Sequence, residues 1–211
     1  MHKLPEATRL ARFETVTARG GLIKNAGVNT GRRMAPGMSR LLRFQTMLES
    51  LHKAPWSNMR FSENERILKL LTLSHLSLVV GVDYYETEKT ALEAQIGVEP
   101  CQNLVWITNR QQGKTTTLAR FLAALTLLAP VTGSLCCIYS TNLDRASELL
   151  KATKAFLMWK GNCDILSNNT ISLTLRTVDG FVHTVSARPK TPDSCRGDAP
   201  KMALFDEIAF C

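Results

Sequence analysis

Long apolar runs, metal-type cysteine spacings and aromatic residues are all scarce in this 211-residue chain, in which Phe, Trp and Tyr make up only 7%. The longest apolar stretches, Leu70–Val82 and Phe121–Val131, are broken by His75 and by Thr126 and Pro130. Neither approaches the roughly 20 residues of a bilayer-spanning helix, so no transmembrane segment and no membrane partner is expected. The opening MHKLPEATRLARFE has no apolar core followed by small residues. That argues against a secretory signal and predicts a protein that is not secreted and stays in a reducing compartment. The six cysteines (101, 136, 137, 163, 195 and 211) form no C-x-x-C and no metal-ligand spacing. They read as small buried hydrophobes.

Acidic residues are also missing from one part of the chain. Residues 1–60 hold 11 Lys/Arg against 3 Glu and no Asp, whereas residues 61–211 hold 15 basic against 15 acidic residues. The whole net charge of +8 therefore lies in the first 60 positions. With Gly20-Gly21, Gly27, Gly31, Pro36 and Gly37 and little apolar pattern, residues 1–39 read as a basic, flexible, partly disordered arm. Such an arm suits nucleic-acid phosphates, because each neutralised phosphate releases condensed counterions. A solvated tail fits the same charge count.

Residues 40–100 read as a helical subregion. Leu41, Phe44, Leu48 and Leu51 recur at helical spacing over Arg40–His52, and Pro55 stops the helix. Ser62 and Glu65 stand at capping-box spacing before a second helix that runs through Ile67, Leu70, Leu71 and Leu78 to Gly81. From residue 101 onward short apolar strands alternate with amphipathic helices. The expected elements are strand Asn103–Thr108, helix Lys114–Leu128, strand Leu135–Ser140, helix Asn142–Trp159, a hairpin-like pair Ile171–Thr177 and Phe181–Ala187, and strand Met202–Asp206. Alternation of this kind predicts an α/β fold, a parallel sheet flanked by helices.

Between the first strand and its helix lies Thr108-Asn109-Arg110-Gln111-Gln112-Gly113-Lys114-Thr115-Thr116. This is most of a phosphate-binding loop, with Thr108 where the first glycine usually stands. A tight loop turns successive backbone N–H groups inward, Gly113 reaches a conformation that a Cβ would oppose, and the helix starts with its positive dipole end toward the anion. Lys114 would reach the terminal phosphates of ATP, and the Thr115 hydroxyl would help hold Mg²⁺. A Gly-Lys-Ser/Thr tripeptide alone recurs by chance in roughly one chain in ten of this length. Its place between an apolar strand and a helix is what discriminates.

Downstream, Met202-Ala203-Leu204-Phe205-Asp206-Glu207 is a short apolar strand that ends in two carboxylates. In open α/β sheets ligand chemistry gathers at the carboxyl ends of strands. Adjacent strand residues point to opposite faces, so the two acids take different tasks. Asp206 is the candidate for the Mg²⁺ shell, and Glu207 the candidate for polarising the attacking water.

In their order these segments resemble the ATPase part of the large terminase subunit, the DNA-packaging motor of tailed bacteriophages and herpesviruses. The resemblance covers roughly residues 100–211. It rests on Asn109–Thr116, which also lacks the first glycine and has an Arg ahead of Gly-Lys-Thr. It continues through LCCIYS with its following helix, the hairpin pair leading to Arg196-Gly197, and MALFDEIAF. It implies a P-loop NTPase core of the RecA-like type, cut off after the acidic strand. It also implies a Mg-dependent ATPase that uses Gln111, Gln112, Gly113, Lys114, Thr115 and Thr116 to bind ATP. Thr115 and Asp206 would be the metal residues, and Glu207 the catalytic carboxylate.

The resemblance makes Arg110 a candidate arginine finger; a salt bridge bracing the loop is the alternative. Arg196-Gly197 would couple nucleotide state to movement, or else form a glycine turn with a solvated Arg. The family's base-contacting segment lies upstream of the loop, where Phe44-Gln45 is a loose match that a core Phe beside an exposed Gln explains better. The family's coupling motif and nuclease domain have no counterpart before Cys211, so no nuclease activity is assigned, and the chain has the look of a fragment or one exon of a split gene. The implied partners are double-stranded DNA, a small terminase subunit, the capsid portal and further copies of the chain. The implied location is the host nucleus for a herpesvirus-like source, or the host cytoplasm for a phage. Two rivals remain open: a helicase-type P-loop ATPase, and a binding module for nucleic acid or capsid that hydrolyses nothing.

Overall fold

The computed structural model of the chain describes residues 34–57, 62–98, 113–189, 191 and 199–205. Residues 1–33, the expected strand Asn103–Thr108, and the segments that carry Arg110, Arg196-Gly197, Asp206 and Glu207 lie outside them.

Four helices come first: α1 (Pro36–His52), α2 (Ser62–Ser74), α3 (Leu76–Val80) and α4 (Val82–Ile96). In α1, Gly37, Leu41, Phe44, Leu48 and Leu51 are buried along one stripe, the periodicity legible in the sequence. The helix starts four residues earlier than expected, at Pro36, whose fixed φ suits the first helical position. Its free N–H groups are met from a distance. Glu88 of α4 accepts from Gly37 and Met38 through its two carboxylate oxygens, each at 3.0 Å. A carboxylate at the positive end of a helix is favoured by charge as well as by hydrogen bonding. The expected single helix to Gly81 is instead two, interrupted at His75, and α4 was not foreseen.

Next come α5 (Lys114–Leu128), β1 (Gly133–Ser140), α6 (Leu143–Lys160), β2 (Cys163–Asn168), β3 (Ser172–Thr177), β4 (Val182–Pro189) and β5 (Met202–Phe205). Asn142 caps α6 by accepting from the Arg145 N–H at 2.9 Å. The five strands form one sheet in the order β2-β3-β4-β1-β5. β1 is parallel to both of its neighbours, β4 and β5, whereas β2-β3 and β3-β4 are antiparallel. The sheet is therefore mixed, which corrects the expectation of a parallel one. The short connections of three residues (169–171) and four residues (178–181) permit hairpins, and a hairpin reverses strand direction where a crossover helix would preserve it. β2 was also missed, since almost every residue of this edge strand is exposed and no alternation marks it.

Register puts Leu173, Leu175, Val185, Ala187, Cys136, Ile138, Met202 and Leu204 on one face, and all of them are buried. Against β4 and β1 lies α6; α5 packs on α6; and α1 and α2 pack on α5. Phe44 of α1 meets Phe121 of α5 edge to face, with ring centroids 5.8 Å apart. The central helix α5 is thus apolar nearly all round, as a helix enclosed between two layers must be.

Candidate functional site

The orientation of α5 decides which end of the sheet its first residues occupy. Its last turn is fixed at the amino end of β4, where the two ring nitrogens of buried His183 lie 2.6 Å from the carbonyl oxygens of Thr126 and Val131. Four residues then lead from α5 into β1. The 15 residues of α5 span about 22 Å, packed on α6, α1 and α2. Asp206 follows Phe205 in the chain, beyond the described residues.

Gly113 precedes α5 at φ 74°, ψ 18°, in the left-handed region. Glycine enters that region freely, and residues with a Cβ do so at a cost. The Thr117 N–H bonds back to the Gly113 carbonyl at 2.9 Å. The N–H groups of Lys114, Thr115 and Thr116 come before this first helical bond and have no acceptor within the helix itself. The first turn carries no acidic side chain. Lys114, Thr115 and Thr116 are half-buried. Such a helix start favours an anion through its dipole, its N–H groups and the Lys114 ammonium together.

Of the expected site residues, Gly113, Lys114, Thr115 and Thr116 are thus brought together on one turn. Arg110, Gln111, Gln112, Asp206 and Glu207 lie outside the described residues. Phe44, fully buried in the core, offers no surface to a nucleotide base. No group of three metal-ligating side chains occurs among the described residues. A metal held by one threonine and one carboxylate would form no such group.

Sequence reasoning missed Arg120. This residue sits two turns into α5 and is 5% exposed. Its Nη2 donates to Glu65 Oε1 of α2 at 2.8 Å, and its Nη1 to His52 Nδ1 of α1 at 2.7 Å. A guanidinium has only donors, so the imidazole nitrogen is the acceptor. Among the described residues the Nε finds no acceptor. One signal was available: after Lys114, Arg120 is the sole charged residue of an otherwise apolar helix. Glu65, read as half of a capping box, gives its carboxylate to this cation.

Two cavities meet at Arg120. The larger, about 670 Å³, opens between α1, α2 and α4 and includes Gln45, Glu49, Lys53 and Lys69 in its wall. The smaller, about 120 Å³, lies beside Gly113 and is lined by Trp56, Ser57, Asn64, Thr116 and Thr117 as well as Arg120 and Glu65.

No protein-family model matches the chain, and no curated protein matches it significantly. Among the described residues no helix is long and apolar enough to cross a membrane.

Proposed function

We propose that the chain is a P-loop ATPase, the ATP-hydrolysing part of a viral terminase large subunit that drives double-stranded DNA into a capsid. One observation carries the reading. A left-handed glycine, Gly113, opens a largely buried helix with Lys-Thr-Thr in its first turn and no acidic side chain there, a start that favours an anion.

On this reading the backbone N–H groups of the first turn and the Lys114 ammonium bind the β- and γ-phosphates. Thr115 and Asp206 would hold Mg²⁺, whose role is to neutralise charge on the transferring phosphoryl group. Glu207 orients the attacking water, and Arg110 supplies a further positive charge to the transition state. Phosphoryl transfer depends on positioning and charge stabilisation, so each of these side chains acts by holding its place. Double-stranded DNA, a small terminase subunit, the capsid portal and further copies of the chain are the proposed partners, and the host nucleus or cytoplasm the proposed location. The basic residues of 1–60 suit a DNA partner.

The test measures Mg-ATP binding and hydrolysis separately. Lys114→Ala should abolish binding, while Glu207→Gln should retain binding and lower turnover by orders of magnitude. Unchanged binding in Lys114→Ala refutes the phosphate loop, and normal turnover in Glu207→Gln refutes the role of that carboxylate.

A further inference from the structure

We infer that Arg120 is a positioning residue for the phosphate-binding turn: its guanidinium ties α5 to the ends of α1 and α2 and so fixes where Lys114, Thr115 and Thr116 stand. The inference rests on the phosphate-loop reading and adds to it the device that holds the loop's helix in place.

Stability gives no account of a charge at this point. Arg120 lies within the apolar stretch of α5, and its side chain is 6% exposed. An ion pair taken into a protein interior is often matched or bettered by packed apolar side chains of the same volume, because the charges lose their water. What the pair supplies instead is direction. Apolar contact, such as that of Phe44 with Phe121, is non-directional and permits small slides along a helix axis. A guanidinium donates in a fixed planar fork, so its acceptors define where it can stand.

Both acceptors belong to helix ends. Nη2 donates to Glu65 Oε1 at 2.8 Å, in the first turn of α2, and Nη1 to Nδ1 of His52, the last residue of α1, at 2.7 Å. The end of α1 is in turn anchored to α6. Ser50 Oγ accepts from Lys160 Nζ at 2.7 Å, and the Trp56 ring, just past α1, lies 5.9 Å from that of Phe156. Helix α6 itself packs on β1 and β4. A continuous series of contacts therefore runs from the sheet through α6 and α1 to Arg120.

From Arg120 the phosphate turn is close. The residue stands one helical turn past Thr116, on the same face of α5, and both line the small cavity beside Gly113. About 10 Å of helix separates it from Gly113. That length is rigid, so a shift at the fork is a shift at the first turn. Backbone N–H groups hold an anion only within a narrow range of distance, about 2.7–3.2 Å. A turn with that task needs a directional reference, and Arg120 supplies one.

The test measures Mg-ATP and Mg-tripolyphosphate binding to the 211-residue chain by calorimetry, in wild type, Arg120→Met, Glu65→Ala and the double variant, each well below its melting transition. The expected result is a loss of roughly tenfold for both ligands in each single variant, little further loss in the double, and an unchanged number of sites per chain. Equal loss for the two ligands locates the effect on the phosphates. Glu65→Ala is the decisive arm, because removing a carboxylate favours an anion by charge alone and the loss expected here runs the other way. Affinity in Glu65→Ala equal to or above that of wild type overturns the inference, and so does unchanged affinity in Arg120→Met. A loss that shows only as fewer sites per chain is a folding defect and also overturns it. Glu65 is half-exposed, so its variant decides the matter even where Arg120→Met does not fold. If wild type binds neither ligand, the phosphate loop itself fails and the positioning role with it.

Discussion

Replacing Glu65 by Ala should lower the melting temperature more than replacing Arg120 by Met, although Arg120 is far the more buried of the two. The Arg120 side chain is 6% exposed and that of Glu65 53%. Removing one partner of a fully buried ion pair costs about 3–5 kcal/mol, because a charge is left without compensation. An exposed pair is worth about 0–1 kcal/mol. The Arg120–Glu65 pair falls between, since water can reach the carboxylate side and solvate part of the stranded cation, while His52 retains one of its hydrogen bonds. We therefore expect about 2 kcal/mol, including the loss of one acidic residue from the first turn of α2. At about 2–4 °C per kcal/mol for a domain of this size, the melting temperature falls by about 4–8 °C. Arg120→Met removes the charge and the orphaned Nε together and keeps the volume, so it should cost less than about 1 kcal/mol. The double variant should then melt with Arg120→Met rather than below Glu65→Ala, giving a coupling of about 1 kcal/mol or more. Thermal unfolding followed by circular dichroism reads all four corners of the cycle. A Glu65→Ala variant that melts with wild type, or an Arg120→Met variant that is the worse of the two, would refute the reasoning.

The remaining predictions are shorter. Gly113→Ala places a Cβ at φ 74° and should cost about 1–2 kcal/mol, together with any nucleotide affinity; an unchanged melt would show that the turn tolerates a side chain. Burial lowers the His75 pKa, against a smaller upward pull from the bond to the Leu71 carbonyl. A histidine lowered in the folded state lets the unfolded chain bind more protons, so stability is full above the unfolded value of about 6.5 and falls as the pH drops through and beneath it. His75→Gln should remove that part of the acid loss, and melting curves of the two proteins that stay parallel from neutral to acid pH would contradict it. Burial, with Cys137 beside it, pushes the Cys136 thiol far up. At mildly alkaline pH a thiol reagent should label peptide 136–137 only after unfolding, and rapid native labelling, read by mass spectrometry, would show that this strand is open.

The core of the fold was readable because its determinants are local. Helix α5 occupies Lys114–Leu128, the span expected, since a glycine punctuates its start, a mostly apolar stretch of good helix formers follows, and Pro130 lies just past its end. Helix α6 differs by one residue at each end, with Asn142 a local cap. What failed depended on distant partners. The start of α1 is held by Glu88, 50 residues away or more, which no local window contains. Helix α4 buries only Leu92 and Ile96, leaving too little apolar stripe to register as a helix. Strand β2 is exposed at every residue after Cys163 and carries a register irregularity between Ile165 and Ser167, so alternation is lost in two ways. The phosphate-loop side of the candidate site was legible because a glycine and its followers must be contiguous to surround an anion. The Trp56, Asn64 and Arg120 side was not, because three separate elements assemble it.

The most direct measurement is a crystal structure of the chain grown with Mg²⁺ and a non-hydrolysable ATP analogue. The account predicts the β-phosphate against the N–H groups that open α5, the Lys114 ammonium on the terminal phosphates, and the metal between Thr115 and Asp206. A nucleotide seated away from Gly113, or Asp206 and Glu207 turned to the other end of the sheet, would contradict it.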